Sequence, residues 1–205
     1  MQELIRKLID SGCMRSERII EAFGSVDRAD FVPEELKSGA YEDTALPIGY
    51  GQTISQPCVV AFMLELLHPE RGDYILDVGS GSGWQTALLS HIVGKEGRVV
   101  AIERVPEVFR YGQERLAKYG FENIDLIEGD GTIDIQEEKY FDKIIAAASG
   151  SEVPEAFKRE LKIGGTLVIP IRESIFILKK IDDTHFSERE FPGFLFVPLI
   201  RDQLR

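Results

Sequence analysis

The chain has 205 residues with 35 acidic and 24 basic side chains, which gives a formal net charge of −11. This length fits one α/β domain, and hydrophobic residues at 43% supply a core without a metal or disulfide framework. A surface this negative repels phosphate backbones, so a general nucleic-acid binder is disfavoured. An anionic substrate remains compatible only where its site is locally not negative.

The amino-terminal residues mix charges with apolar side chains, so they do not resemble a signal peptide, and no apolar run is long enough to span a bilayer. The cysteines, Cys13 and Cys58, are too few for a disulfide framework, and no Cys or His pair has the spacing of a metal site. We therefore expect a cytoplasmic protein without a bound metal, with Cys58 acting as a small buried hydrophobe.

Apolar residues at helical spacing predict two short amphipathic helices near residues 4–9 and 19–23, with Ser16 as the N-cap of the second. Residues 39–57 are rich in Gly, Pro and hydroxyl side chains, which indicates a long functional loop. Pro57 then suits the first turn of a helix.

Strand and helix patterns alternate from residue 74 onward, which predicts a parallel sheet with helices on both faces. The predicted strands cover residues 74–78, 98–102, 123–127, 141–146 and 166–171, and the predicted helices cover 84–93, 106–119 and 154–165. Two further strands, at 174–181 and 194–200, follow each other without a helix. The sequence therefore predicts an α/β fold: a doubly wound, mostly parallel sheet with an antiparallel carboxyl-terminal end.

The sequence DVGSGSG at residues 77–83 lies where the first strand of this sheet meets its helix. Glycines here let a ligand approach the backbone, and the helix N-terminus presents free N–H groups. The dinucleotide fingerprint G-x-G-x-x-G would need a third glycine where this chain has Trp84, which we expect in the core. An acidic residue two positions before G-x-G-x-G is instead typical of S-adenosylmethionine-dependent methyltransferases.

Acidic residues also end the next two strands. Glu103 can accept hydrogen bonds from both ribose hydroxyls of a nucleoside, and its alternative is a solvated strand-end carboxylate. Asp130, between two glycines, can reach an adenine amino group, and its alternative is an Asx turn. Ligand-binding residues at three successive strand ends favour the functional interpretation.

Several strings together resemble the protein-L-isoaspartate O-methyltransferase family. The most specific is LPIGYGQTISQP at residues 46–57, beside the glycine loop and GDG at 129–131. Further agreement is found in RADFVP (28–33), YED (41–43), FD (141–142), LKIGG (161–165) and FVPL (196–199). The resemblance covers nearly the whole chain.

The resemblance implies a Rossmann-like class I methyltransferase fold and an enzyme that methylates the α-carboxylate of isoaspartyl residues in aged proteins and peptides. It implies S-adenosyl-L-methionine as cofactor, S-adenosyl-L-homocysteine as product, and no metal. We expect a monomer with one domain, in which residues 1–56 form the helices and substrate loop and 57–205 the cofactor-binding core. The resemblance makes Ser55 the active-site residue. Its implied cofactor-contacting residues are Gln52, Thr53, Ile54, Ser55, Asp77, Gly79, Ser80, Gly81, Ser82, Gly83, Glu103, Arg104, Asp130 and Gly131.

A carboxylate is already ionised at neutral pH, so methyl transfer to it needs orientation and desolvation, and no strong base. We expect Ser55 to position the substrate by donating a hydrogen bond, with other neutral donors in place of a buried arginine.

The chain departs from the family at residues 132–134, 146–151 and 200–205, which bears on substrate contacts. The alternatives are a methyltransferase with another acceptor and a non-catalytic S-adenosylmethionine-binding protein. A nicotinamide-dependent oxidoreductase is disfavoured by Trp84.

Overall fold

The computed structural model describes residues 1–133 and 140–200. Its α-helices are α1 (Gln2–Asp10), α2 (Glu17–Ser25), α3 (Pro57–Leu67), α4 (Trp84–Val93), α5 (Pro106–Leu116) and α6 (Glu155–Glu160). Its strands are β1 (Leu46–Gly49), β2 (Gln52–Ile54), β3 (Tyr74–Val78), β4 (Arg98–Glu103), β5 (Ile124–Glu128), β6 (Phe141–Ala146), β7 (Leu161–Ile171), β8 (Ser174–Lys180) and β9 (Phe186–Pro192). Asp134 and residues 201–205, which carry part of two departures from the family, lie outside the described residues.

Within the described residues the main sheet has the strand order β5-β4-β3-β6-β7-β8-β9. The strands from β5 to β7 are parallel, and β8 and β9 are added antiparallel. The central strands β3 and β4 are almost entirely buried, as expected where helices cover both faces. The predicted α/β architecture with an antiparallel end is confirmed.

The direction of winding reverses between β3 and β6. From β3 the chain adds β4 and then β5 on one side, whereas β6 and β7 lie on the other side. In open α/β sheets the crevice beyond the carboxyl ends of such strands is where ligands bind. The fold therefore opens a crevice beside the loops that follow β3, β4, β5 and β6.

The predicted amino-terminal helices are present and pack on the core. Phe23 of α2 meets Trp84 edge to face with ring centroids 5.2 Å apart, and both side chains are buried. Trp84 is therefore a core residue, as predicted. Ser16 is the N-cap of α2, but its hydroxyl donates to the Glu65 carboxylate on α3 at 2.7 Å and makes no side-chain cap.

The segment predicted as one long loop contains a β-hairpin formed by β1 and β2. Tyr50 and Gly51, both with positive φ, form the two-residue turn between Gly49 and Gln52. Positive φ at both central positions matches the right-handed twist of the paired strands. Residues 52–54, directly before Ser55, are therefore held by strand pairing and not by an irregular loop.

In the carboxyl-terminal third, one predicted helix boundary and one predicted strand are wrong. The sixth helix ends at Glu160, because residues 161–165 already belong to β7. The pairing of β6 with β7 shifts register there, and Gly165 lies where a Cβ would come within 2.9 Å of the Asp142 carbonyl oxygen. The strand predicted at 194–200 is wrong: the last sheet strand is β9, and 194–200 is an extended segment with a single bridge at Pro198.

The interpretation of the cysteines is also wrong, because Cys13 and Cys58 form a disulfide. The bond joins the turn after α1 to the first turn of α3, two positions that are 45 residues apart in sequence. The spacing of the two cysteines in the sequence does not predict this disulfide, because the pairing depends on how α1 packs beside α3. The pairing removes the argument for a reducing compartment that rests on cysteine use. None of the described helices has the length and apolar character that crossing a membrane requires.

We expect reduction of the Cys13–Cys58 disulfide to lower the free energy of unfolding by up to about 4 kcal/mol, since the bond closes a long loop in the unfolded chain. Denaturant unfolding with and without reductant measures this loss. The Cys13→Ser/Cys58→Ser variant is the control, because its stability should not respond to reductant. Equal stability of the oxidised and reduced protein would contradict the expectation.

Candidate active site

A cavity opens at the carboxyl ends of the parallel strands, where the winding reverses. Its wall is formed by the loops after β3, β4, β5 and β6, by the β2–α3 segment and by the extended segment 195–200. The sequence-predicted residues that line it are Gln52, Thr53, Ile54, Ser55, Gly79, Ser80, Gly81, Ser82, Glu103, Arg104, Asp130 and Gly131. Asp77 and Gly83 lie behind this wall.

The glycine loop after β3 has a conformation that side chains disfavour. Gly79, Gly81 and Gly83 have φ of 78°, 56° and 87°, in the left-handed region where glycine carries no penalty. Two N–H groups of the loop, at Gly79 and Ser80, donate to the Ile102 carbonyl oxygen at 2.8 and 3.0 Å. The loop is thus attached to the end of β4 and leads into the N-terminus of α4.

Glu103 connects the glycine loop to the loop after β4. Its carboxylate accepts the Gly81 N–H at 3.0 Å on one oxygen and the Val105 N–H at 2.9 Å on the other. The side chain is only 7% exposed, and yet it lines the cavity. A carboxylate has about four acceptor positions, so Glu103 retains capacity for ligand hydroxyls while it holds the loop.

Asp77 is fully buried at the end of β3 and faces α4. It accepts hydrogen bonds from the Gln85 amide at 2.8 Å and the Thr86 hydroxyl at 2.6 Å. Burial raises the pKa of this carboxyl to about 6, although the two hydrogen bonds oppose the shift. Asp77 therefore holds the first turn of α4 beneath the glycine loop. Asp77 does not line the cavity, whereas Val78 and Gly79 beside it do.

Asp130 fits both interpretations that its sequence position allowed, an Asx turn and a carboxylate in the ligand site. One carboxylate oxygen accepts the N–H and the hydroxyl of Thr132, at 2.8 and 2.7 Å, which is an Asx turn. The residue also lines the cavity, as does Gly131. At Gly131 an added Cβ would lie 2.8 Å from the Val78 side chain, so the loop passes close over β3 at this glycine.

Ser55 lies on the opposite wall, between β2 and α3. The lining residues contributed by positions 45–60 carry no charge, which leaves this end of the cavity free of carboxylates. In the described part of the chain the Ser55 hydroxyl has no hydrogen-bond partner, while its carbonyl oxygen accepts from Arg28 at 3.1 Å. The hydroxyl is therefore available to an acceptor group in the cavity.

Sequence reasoning missed part of the wall, because it assigned residues 194–200 to a sheet strand. The segment instead pairs with the loop after β6: the Ser149 N–H donates to the Val197 carbonyl, and the Leu199 N–H donates to that of Ser149, both at 2.8 Å. Leu195 lines the cavity and is 84% exposed. The family-like string FVPL was the available signal, and it marks this wall.

The sheet order, the reversal between β3 and β6 and the glycine loop define the Rossmann-like fold of class I S-adenosylmethionine-dependent methyltransferases. Residues 1–204 match the family model described as protein-L-isoaspartate(D-aspartate) O-methyltransferase. The chain belongs to this family.

Individual relatives agree with this assignment. A protein-L-isoaspartate O-methyltransferase of Ignicoccus hospitalis is 42% identical, with 98% of both chains covered. One of Methanopyrus kandleri is 39% identical over 98% of this chain and 92% of its own. Among solved structures, a putative protein-L-isoaspartate O-methyltransferase from Plasmodium falciparum in complex with S-adenosyl-L-homocysteine superposes with a TM-score of 0.86, at 26% identity and 98% coverage of both chains.

Proposed function

We propose that the protein transfers a methyl group from S-adenosyl-L-methionine to the α-carboxylate of L-isoaspartyl residues in damaged proteins, the step that starts their repair. The observation that carries the proposal is one cavity that joins the glycine loop and Glu103 to the uncharged wall at Ser55. This cavity lies in a chain that matches the isoaspartyl methyltransferase family over residues 1–204.

The strand-end wall fits the nucleoside part of the cofactor. Glu103 is positioned for ribose hydroxyls, and Asp130 and Gly131 for the adenine. The glycine loop and the N-terminus of α4 offer backbone N–H groups to the methionine part. We also assign to the cofactor site the predicted residues Gln52, Thr53, Ile54, Ser80, Ser82 and Arg104, which line the same cavity, and Asp77 and Gly83, which support it from behind.

The cofactor, when bound, supplies a methyl group on a positively charged sulfur. The residues of the chain have to desolvate the acceptor carboxylate, hold it in line and exclude other nucleophiles. Ser55 donates a hydrogen bond to that carboxylate from the uncharged wall. Because the acceptor is already ionised, no residue has to remove a proton.

The acceptor is a polypeptide, which fits an open rim with apolar surface. Leu195 and Ile200 line the cavity and are 84% and 50% exposed. Apolar side chains exposed beside a site offer contacts to the residues that flank a substrate. The charge of −11 supports a protein substrate over nucleic acid. A monomer in the cytoplasm remains our expectation for its assembly and compartment.

Gly112 of α5 should be essential for the close packing of α5 against the glycine loop, which forms part of the proposed cofactor site. A Cβ at this position would lie 2.6 Å from the Gly81 carbonyl oxygen, and a backbone atom cannot rotate away. We expect Gly112→Ala to cost about 2 kcal/mol of stability and to weaken binding of S-adenosyl-L-homocysteine. Gly24→Ala is the matched control in α2, because its Cβ would have only the Ile5 side chain as a neighbour, at 4.0 Å. Unchanged binding by Gly112→Ala would show that the loop tolerates displacement.

Chromatography of an isoaspartyl peptide tests the repair function. Incubation with the protein and S-adenosyl-L-methionine should convert part of the peptide into its aspartyl form, because the ester has a better leaving group than the carboxylate. The following backbone nitrogen can then displace methanol and form a ring that hydrolyses to either isomer. Without cofactor, no conversion is expected. Tight binding of S-adenosyl-L-homocysteine without conversion would favour another acceptor or a non-catalytic role.

A further inference from the structure

A buried arginine lies directly behind the wall that carries Ser55. Arg28 is 0% exposed, and its guanidinium lies 5.3 Å from the centre of the Trp84 ring. It donates to the carbonyl oxygens of Ala40 at 2.8 Å, Glu42 at 3.4 Å, Thr44 at 2.8 Å and Ser55 at 3.1 Å. Neutral donors in place of a buried arginine were expected at this site, and Arg28 corrects that expectation.

The charge of Arg28 lies outside any direct ion pair in the part of the chain that the structure describes, and the Asp43 carboxylate acts on it only from a longer distance. Among residues 1–133 and 140–200 no carboxylate forms an ion pair with it, and its Nε has no hydrogen-bond partner. Burial lowers the pKa of Arg28 to about 10, although the charge of Asp43 opposes the shift, so the group is charged at neutral pH. Burying a charge outside an ion pair costs several kcal/mol of desolvation, which the four carbonyl hydrogen bonds of Arg28 have to offset. A cation kept in this state beside a cavity therefore calls for a functional explanation.

The contacts of Arg28 also fix the backbone at Ser55. The Arg28 Nη1 donates to the Ala40 and Glu42 carbonyls, and Nη2 donates to both the Thr44 and the Ser55 carbonyls, so one guanidinium links residues 40–44 to Ser55. Asp43, in the held segment, accepts the Cys58 N–H at 2.8 Å and the Gln56 amide at 3.0 Å. Arg28 therefore holds the Ser55 carbonyl directly, and the segment that it holds at residues 40–44 is tied through Asp43 to the start of α3.

We propose that Arg28 is a positioning residue for the methyl acceptor: it fixes Ser55 and makes the uncharged wall electrostatically favourable for a carboxylate. It does so without contacting the substrate, since Arg28 is fully buried and does not line the cavity, whereas Ser55 and Trp84 do. This inference rests on the proposed function, because a carboxylate acceptor is what a positive potential at this wall would attract.

Two variants distinguish the two parts of this role, which are the positioning of Ser55 and the electrostatic effect on the acceptor carboxylate. Arg28→Lys keeps the charge and loses the planar guanidinium that donates to several carbonyls at once. We therefore expect kcat for an isoaspartyl peptide to fall on the order of 100-fold with little change in KM. Arg28→Met loses both the charge and these hydrogen bonds, so we expect a similar fall in kcat and a rise of about tenfold in KM. Affinity for S-adenosyl-L-homocysteine should stay close to wild type in both variants. Arg6→Met, at an exposed position of α1, makes the same change in net charge and should leave kcat and KM unaltered.

A double-mutant cycle with Ser55→Ala distinguishes positioning from general damage. If Arg28 acts through Ser55, adding Arg28→Lys to Ser55→Ala should change kcat by less than about threefold, because coupled residues are not additive. Multiplied defects, or a loss of S-adenosyl-L-homocysteine affinity as large as the loss of kcat, would overturn the proposal. Should Arg28→Met fail to fold, the cycle with Arg28→Lys decides alone.

Wild-type turnover separates this test from the test of the proposed function. If the wild-type protein does not methylate the isoaspartyl peptide, both the function and the role of Arg28 are overturned. If it does and the cycle is additive, only the role of Arg28 is overturned.

Discussion

Replacing Ser55 by alanine should lower kcat for an isoaspartyl peptide on the order of 100-fold, the effect of removing one preorganised donor from a developing reaction centre. The affinity for S-adenosyl-L-homocysteine should change by less than about twofold, because the strand-end wall that we propose for the nucleoside is untouched. Single-turnover kinetics and calorimetry measure the two quantities separately.

The control for Ser55→Ala is Ser187→Ala, which removes an exposed hydroxyl of β9 far along the sheet from the cavity. It should leave both quantities unchanged. Loss of cofactor binding in Ser55→Ala equal to its loss of turnover would contradict the assigned role, since a residue that only orients the acceptor has no reason to affect the nucleoside.

Glu103→Gln should weaken binding of S-adenosyl-L-homocysteine by about 100-fold, because hydrogen bonds to a charged group contribute about 1.5–3 kcal/mol each. The amide also cannot accept on both sides, so its NH₂ group would face either the Gly81 or the Val105 N–H. The loop after β3 and the proposed ribose site would be disturbed together. Calorimetric titration of the variant measures this loss.

Glu128→Gln is the matched control for Glu103, since Glu128 ends the neighbouring strand β5 and pairs in register with Glu103. It is exposed and does not line the cavity, so its affinity should equal that of wild type. If Glu103→Gln binds like Glu128→Gln, the cofactor does not use the end of β4.

The core of the fold was predictable because its signals are local. The buried strands at 74–78 and 98–103 and the glycine loop between β3 and α4 each follow from a short stretch of residues. Three predicted strand ends meet at one cavity because parallel strands place their carboxyl ends at the same edge of a sheet. The family resemblance added Ser55, which no local pattern singles out.

The features that the sequence did not reveal depend on distant contacts. The Cys13–Cys58 bond requires that α1 pack beside α3. The segment 194–200 has strand-like composition, yet it pairs with the loop after β6 and forms part of the cavity wall. Arg28 looks like an ordinary surface arginine in sequence, and only packing shows that it is buried behind Ser55.

The central claim is tested most directly by transfer of a labelled methyl group from S-adenosyl-L-methionine to two synthetic peptides. The peptides are identical except that one contains isoaspartate where the other contains aspartate. We predict base-labile label in the isoaspartyl peptide alone, because a methyl ester hydrolyses in base. Label in both peptides alike, base-stable label, or no label although S-adenosyl-L-homocysteine binds would contradict the account.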